Sequence, residues 1–216
     1  MSQPLAVILG AGPGIGLALA RRFQAEGFRL ALVSRPTDPL DGFRADLGGQ
    51  ALVLGQDLAD PGTLAGTLAA IQDWGGEPEL LVYNASAGTP GPAAGLDPAG
   101  LGRDLQVNAL APLAAAQWAL AGMRRAGRGT LLFTGGGLAL QPKPGMASAC
   151  LGKAALRSLA LSLGAELAPE GIHAGTVTVA GFVQAGTALD AERVAQAFWD
   201  FHCQPRKDWT FEWVIP

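Results

Sequence analysis

The residues best suited to chemistry stand near the start of the chain. Gly10-Ala-Gly-Pro-Gly-Ile-Gly16 follows the apolar run Leu5–Leu9 and opens a stripe of Ile15, Leu19 and Phe23 at helical spacing. A glycine-rich turn between strand and helix exposes backbone N–H groups, and the helix N-terminus adds the positive end of its dipole. Together they suit a pyrophosphate. Spacing decides the version. Gly-x-Gly-x-x-Gly would need a glycine at position 15, which is Ile15, whereas Gly-x-x-x-Gly-x-Gly fits at Gly10, Gly14 and Gly16. A plain tight turn is the bland alternative, and the flanking strand and helix count against it. Metal chemistry has no comparable signal. His173 begins a strand, His202 lies on the last helix, and no cluster of metal-ligating residues accompanies either.

Elements that could position such a turn alternate along the whole chain. Strands are predicted at Leu5–Leu9, Phe28–Val33, Ala51–Leu54, Leu80–Tyr83, Leu131–Thr134, Ile172–Val179 and Trp209–Ile215. Between them the periodicity predicts helices over Gly14–Glu26, around Gly42–Leu47, from Asp60-Pro61 to Trp74, over Leu101–Arg125, from Met146 to Ala168 and over Asp190–His202. Thr37-Asp38-Pro39 reads as a helix-capping turn. Gly88–Gly100 and Gly135–Gly145 read as loops, and only about eight residues, Gly181–Ala188, separate the sixth strand from the last helix. The expectation is an α/β fold with a doubly wound, parallel, seven-stranded sheet in three layers. No repeat or shift in composition divides residues 1–216, so a single domain is expected.

Composition narrows the function classes. The chain has 216 residues, 49% of them hydrophobic, and a formal net charge of −3. Such a balance offers nothing to a nucleic-acid backbone or an anionic membrane. Leu105–Met123 is an uncharged stretch of 19 residues, but Gln106, Asn108, Pro112 and Gln117 interrupt it and Ala dominates it. A buried or subunit-facing helix is expected there, not a membrane span. The first positive charge is Arg21, so no secretory signal is expected. Two cysteines, Cys150 and Cys203, fit a reducing compartment, and cytoplasmic localisation is the expectation.

In order and spacing, these features resemble the short-chain dehydrogenase/reductase family from about Leu5 to at least Val183. The family's first turn reads Thr-Gly-x-x-x-Gly-x-Gly, with Leu9 replacing the Thr here. Asp57-Leu58 matches its adenine-binding pair. Tyr83-Asn84-Ala85-Ser86 matches its Asn-Asn-Ala-Gly segment. Asn108 matches the Asn of its catalytic shell, Lys153 the Lys of Tyr-x-x-x-Lys, and Ala180-Gly181 its Pro-Gly turn. The resemblance implies a Rossmann-type domain holding a nicotinamide dinucleotide. The implied cofactor contacts are Gly10, Gly14, Ile15, Gly16, Ser34, Arg35, Asp57, Leu58, Asn84, Ala85, Ser86, Lys153, Gly181 and Val183. In dinucleotide folds an acid at the end of the second strand binds the ribose 2′-hydroxyl, whereas a 2′-phosphate calls for Arg. Ser34-Arg35 stands there, so NADP(H) is expected over NAD(H), with NAD(H) also possible. An exposed Arg that merely begins a loop is the alternative.

The catalytic pattern departs from the family at two positions. Where the family has a proton-donating Tyr, four residues before Lys153, this chain has Ala149; Gly136 aligns with the substrate-orienting Ser. Neither residue offers a side-chain proton. Tyr83, the only tyrosine, lies in the wrong segment. Cys150 is one candidate substitute donor, because a nearby ammonium lowers a thiol pKa, against the commoner case of a small buried Cys. Ser148 and Thr134 are nearby hydroxyls, and Met146 is placed to line the pocket. Trp199, Trp209 and Trp213 either cover the pocket, bury a subunit interface or pack in the core. Asn108 and Lys153 are left as catalytic candidates. The expected function is an atypical NADP(H)-dependent oxidoreductase moving hydride to or from a small carbonyl or alcohol. The alternative is a catalytically silent NADP(H)-binding sensor or partner subunit. By resemblance, the Leu105–Met123 and Met146–Ala168 helices pair across a two-fold axis, so a homodimer or homotetramer is expected.

Overall fold

In a computed structural model, which describes residues 3–216, seven strands form one parallel sheet. The strands are β1 (Leu5–Leu9), β2 (Arg29–Ser34), β3 (Leu52–Gly55), β4 (Leu80–Tyr83), β5 (Gly129–Gly136), β6 (Ile172–Val179) and β7 (Glu212–Ile215). Their spatial order is β3-β2-β1-β4-β5-β6-β7. The helices are α1 (Ile15–Ala25), α2 (Leu40–Asp46), α3 (Pro61–Gly75), α4 (Pro98–Leu105), α5 (Ala111–Ala126), α6 (Ala147–Leu167) and α7 (Ala191–His202).

Helices cover both faces, which is why the central strands are apolar without alternation. On β1, Ala6 and Ile8 pack with α1, α2 and α7, through Leu19, Phe23, Phe43 and Phe198. Leu5, Val7 and Leu9 pack against α3, α5 and α6, through Leu68, Ala115 and Leu156. Chain direction across the sheet reverses between β1 and β4. At such a switch point the two following loops diverge and leave a crevice at the carboxyl ends of the strands.

The structure revises several sequence-based boundaries. The single helix expected over Leu101–Arg125 begins earlier and is divided, with α4 and α5 joined by a π-helical turn at Gln106–Leu110. Asp97 caps α4 by accepting from the Ala99 and Gly100 amides. Within the π turn the Val107 carbonyl accepts from the Tyr83 hydroxyl at 2.6 Å. Tyr83 is fully buried, and desolvation raises its pKa far above the usual phenol value. β5 runs two residues past Thr134, to Gly136, which pairs with Val179. The last strand is confined to β7, while Trp209 stacks on His173 with ring centroids 4.5 Å apart. Among the described residues, no helix is long and apolar enough to cross a membrane.

Candidate active site

The turn after β1 is built for close approach. Gly10 has φ +95°, and a Cβ there would lie 2.3 Å from the Ala85 amide nitrogen. A Cβ at Gly16 would lie 2.6 Å from both Ala11 Cα and the Gly10 carbonyl oxygen. At Gly12 and Gly14, by contrast, a Cβ would meet nothing within 4 Å. The tight glycines therefore fold the turn against the start of α1 and the β4 loop, and the open ones leave space above it. α1 begins at Ile15 with no side-chain cap and no acid in its first turn. Its N-terminus is thus free to attract an anion. This cradle fits a pyrophosphate.

Three hydrogen bonds link the turn to Lys153. Asn84 Nδ2 donates to the Gly10 carbonyl at 2.7 Å. The Thr134 hydroxyl donates to Asn84 Oδ1 at 2.8 Å. Lys153 Nζ donates to the Thr134 carbonyl at 2.8 Å. The turns after β1 and β4, the end of β5 and the helix α6 are thereby joined through the side chains of Asn84, Thr134 and Lys153. Burial of the ammonium lowers the Lys153 pKa to about 8.

Asn108 sits in the π turn and is almost fully buried. Its Nδ2 donates to the Ala87 carbonyl at 2.7 Å, and its Oδ1 accepts from the Ala87 amide and the Ser86 hydroxyl. Gly152 makes room for it, since a Cβ there would come within 2.4 Å of Asn108 Nδ2. A π turn inserts one residue into a helix and re-aims the side chains around it, which is why such turns recur at functional sites.

The positions matched to the family's Ser and Tyr border this framework. Gly136 closes β5, and a Cβ there would lie 3.5 Å from the Lys153 methylenes, in ordinary contact. Ala149 lies one turn before Lys153 on α6, against the Gly88 loop. The substitute hydroxyls are engaged elsewhere. Ser148 is fully buried and donates to Asp104 at 2.5 Å, while the Thr89 amide donates to the same carboxylate oxygen. Burial acts to raise the Asp104 pKa, but the bonds from Ser148 and Thr89, with the Arg103 charge, outweigh it and hold the carboxyl below its usual value. Thr134 is committed to Asn84. Cys150 is buried, with its sulfur 3.4 Å from the donating Lys143 amide. Beside Lys153 opens a cleft of about 500 Å³, whose inner end is formed by the more buried Gly136, Gly137 and Val179, with the exposed Ala180 and Gly181 also on its wall. Met146 lines the cleft as expected, and none of the tryptophans does.

The adenine-side residues differ from expectation at one point. Asp38 does not cap α2, whose N-cap is Pro39 without a side-chain bond. Its carboxylate instead accepts from the Ser34 hydroxyl at 2.5 Å and the Arg35 amide at 3.1 Å, and its other oxygen faces the Arg35 guanidinium at 3.3 Å. The Ser34 bond is the largest influence holding its pKa below the usual carboxylate range, against the effect of burial. Local sequence around Asp38-Pro39 suggested a cap; the bond across the end of β2 to Ser34 was the missing signal. Asp57 is exposed and accepts from the Ala59 amide, while the Leu58 side chain is in the core. Val183 is 40% exposed in the segment beyond Gly181. His173 and His202 are packed among aromatic rings, remote in role from the cleft; His202 Nδ1 lies 2.9 Å from the Thr130 hydroxyl.

Comparison with known proteins covers most of the chain. Residues 4–196 match the family described as short chain dehydrogenase. The short-chain dehydrogenase/reductase dmxR12 of Cryptosporiopsis sp. is 29% identical over 190 residues, covering 79% of this chain and 74% of that protein. The 2-(S)-hydroxypropyl-CoM dehydrogenase 3 of Xanthobacter autotrophicus is 28% identical over 205 residues, covering 91% and 80%. A metagenomic short-chain oxidoreductase solved in complex with NADP superposes with a TM-score of 0.87 at 24% identity, covering 100% of this chain and 97% of that one.

Proposed function

The chain belongs to the short-chain dehydrogenase family, and from that premise we propose that it is an NADP(H)-dependent oxidoreductase acting on a small carbonyl compound or alcohol. The observation that carries this reading is the unbroken link from Gly10 through Asn84 and Thr134 to Lys153. It ties the glycine turn that would take the phosphates to the Lys153 ammonium. The Gly10–Gly16 turn and the α1 N-terminus would hold the pyrophosphate, and Arg35 the 2′-phosphate. Lys153 would lie beside the nicotinamide ribose. The bound dinucleotide supplies hydride chemistry. Of the chain's own groups at the inner end of the cleft, the Lys153 ammonium is the one that can release a proton to a substrate oxygen. Because its pKa is depressed to about 8, carbonyl reduction should decline as pH rises through that value. Two free cysteines agree with a reducing, cytoplasmic setting.

A second reading, a redox-silent NADP(H)-binding protein, is favoured by the engagement of Ser148, Thr134 and Cys150 in structural bonds. Purified protein with NADPH and a panel of aldehydes, ketones and quinones separates the two, once binding is measured. Binding without turnover across the panel would remove the first.

Cofactor choice gives a sharper test. Asp38 competes with a 2′-phosphate for the same Ser34 and Arg35 donors, so the preference for NADPH should be present but muted. Arg35→Ala should abolish most of it with little change in NADH affinity. Asp38→Asn removes the competing charge and should tighten NADPH binding by about three- to tenfold relative to NADH, a charge-assisted hydrogen bond being of that order. Equal affinity of the unmodified protein for both cofactors in a fluorescence titration would refute the assignment of Arg35.

Assembly follows the same family logic, and the proposal is a homodimer or homotetramer through α5 and α6. Leu110, just before α5, and Leu151, on α6, are 56% and 48% exposed. Sedimentation at micromolar concentration should return at least twice the monomer mass, and a monomer would count against the proposal.

A further inference from the structure

The cleft beside Lys153 has two ends of different character. Its inner end is backbone and glycine. Its outer end is formed by Leu138, Leu140, Met146 and Phe182, with Gln141 and Lys143 as the polar members. Three of the four apolar side chains are well exposed, Phe182 to 83%. The charged side chains lining the cleft are Lys143 and Lys153, no acidic side chain lines it, and Pro216 completes the wall.

Lys143 is held in place from below. Its amide donates to the buried Cys150 sulfur, and its carbonyl lies 4.0 Å from the same atom. The following Gly145 adopts φ +78°, turning the chain into α6. Above, Lys143 Nζ stands 5.9 Å from the centroid of the Phe182 ring. It makes no ion pair among the described residues, and Asp190, eight residues beyond Phe182, is engaged with the Gly186 and Glu192 amides. An unpaired ammonium beside an exposed aromatic ring, over an apolar wall, is a complementary surface for one kind of small molecule. Its body is apolar and covers Phe182 and Met146, and its end is anionic and neutralises Lys143.

We infer that the outer end of the cleft selects substrates bearing a carboxylate on an apolar body, with Lys143 as the specificity-determining residue. The inference rests on the oxidoreductase reading, since it names the substrate class of that site: keto or hydroxy acids in preference to neutral ketones or alcohols. A neutral compound of the same shape would bury the same apolar area and leave Lys143 to water.

The test needs no turnover. The purified protein is titrated by calorimetry with 4-phenylbutyrate and with its neutral analogue 4-phenylbutyramide, with and without saturating NADPH. The acid should bind about three- to tenfold more tightly at low ionic strength, as a partly exposed charge-assisted contact allows, and 0.5 M NaCl should shrink the difference. Lys143→Met should equalise the two ligands, and Lys143→Arg should keep the preference. Equal binding by the unmodified protein, no binding of either compound, or a preference that survives Lys143→Met would overturn the inference. Turnover and NADPH binding are scored separately. A protein that distinguishes acid from amide but reduces nothing would defeat the oxidoreductase reading and leave the anion site standing.

Discussion

Reductase activity rises at least about tenfold when Ala149→Tyr and Gly136→Ser are combined; this is the expected result of restoring the two missing groups around Lys153. Positioned general acids contribute about 10²–10⁴-fold, and the lower bound allows for imperfect placement. The two positions differ in room. A Cβ at Gly136 would stand at ordinary contact distance from the Lys153 methylenes. At Ala149 the Gly88 loop packs close, a Cβ on Gly88 falling 2.8 Å from the Ala149 Cβ, so a ring there must turn away from that loop toward Lys153. The Lys153 ammonium lies one helical turn on, and a cation there favours the ionised phenol. Each replacement alone should give less, since both act on one substrate oxygen and couple. NADPH affinity is measured in parallel. Normal binding with no gain on any accepted substrate would show that Gly136 and Ala149 are not the positions where the two groups belong.

The largest loss is expected from Gly10→Ala. Its φ of +95° is strained for any residue with a Cβ, and the added methyl would fall 2.3 Å from backbone at Ala85. Left-handed backbone costs about 1–2 kcal/mol and overpacking against rigid atoms about 1–3 kcal/mol. For a chain of this size the sum corresponds to a fall in melting temperature of roughly 5–15 °C. NADPH affinity should fall more than about tenfold, because the turn and the β4 loop must separate to relieve the clash. Gly12→Ala is the control. Its methyl meets open space, so the melting temperature should stay within about 2 °C. A Gly10→Ala protein that melts and binds like the original would contradict the packing described for the turn.

The strands at the centre of the sheet were readable because burial on both faces leaves an uninterrupted aliphatic run. β1 and β4 begin and end where those runs do, the latter closing on Tyr83. The glycine turn was equally readable, since its spacing has few other physical uses. The π turn was not. Its sequence, Gln106–Leu110, is compatible with plain helix, and the groups that hold it open come from Tyr83, Ser86 and Ala87, some twenty residues away. Asp38 escaped for the same reason on a smaller scale. Next to Pro39 it has the local pattern of a cap, and only the folded end of β2 shows that Ser34 and Arg35 claim its carboxylate. The Lys143–Phe182 pairing likewise joins loops nearly forty residues apart.

The bond from Lys153 to the Thr134 carbonyl gives the lysine a second occupation, as a strut. It ties the first third of α6 to the end of β5 across the wall of the cleft. A lineage that abandoned hydride chemistry would be free to lose a tyrosine or a serine, whose absence leaves only space, while the lysine would remain costly to remove. The two kinds of residue therefore age differently once selection on turnover is relaxed. A site holding the lysine without its partners is the form in which such a relaxation would come to rest.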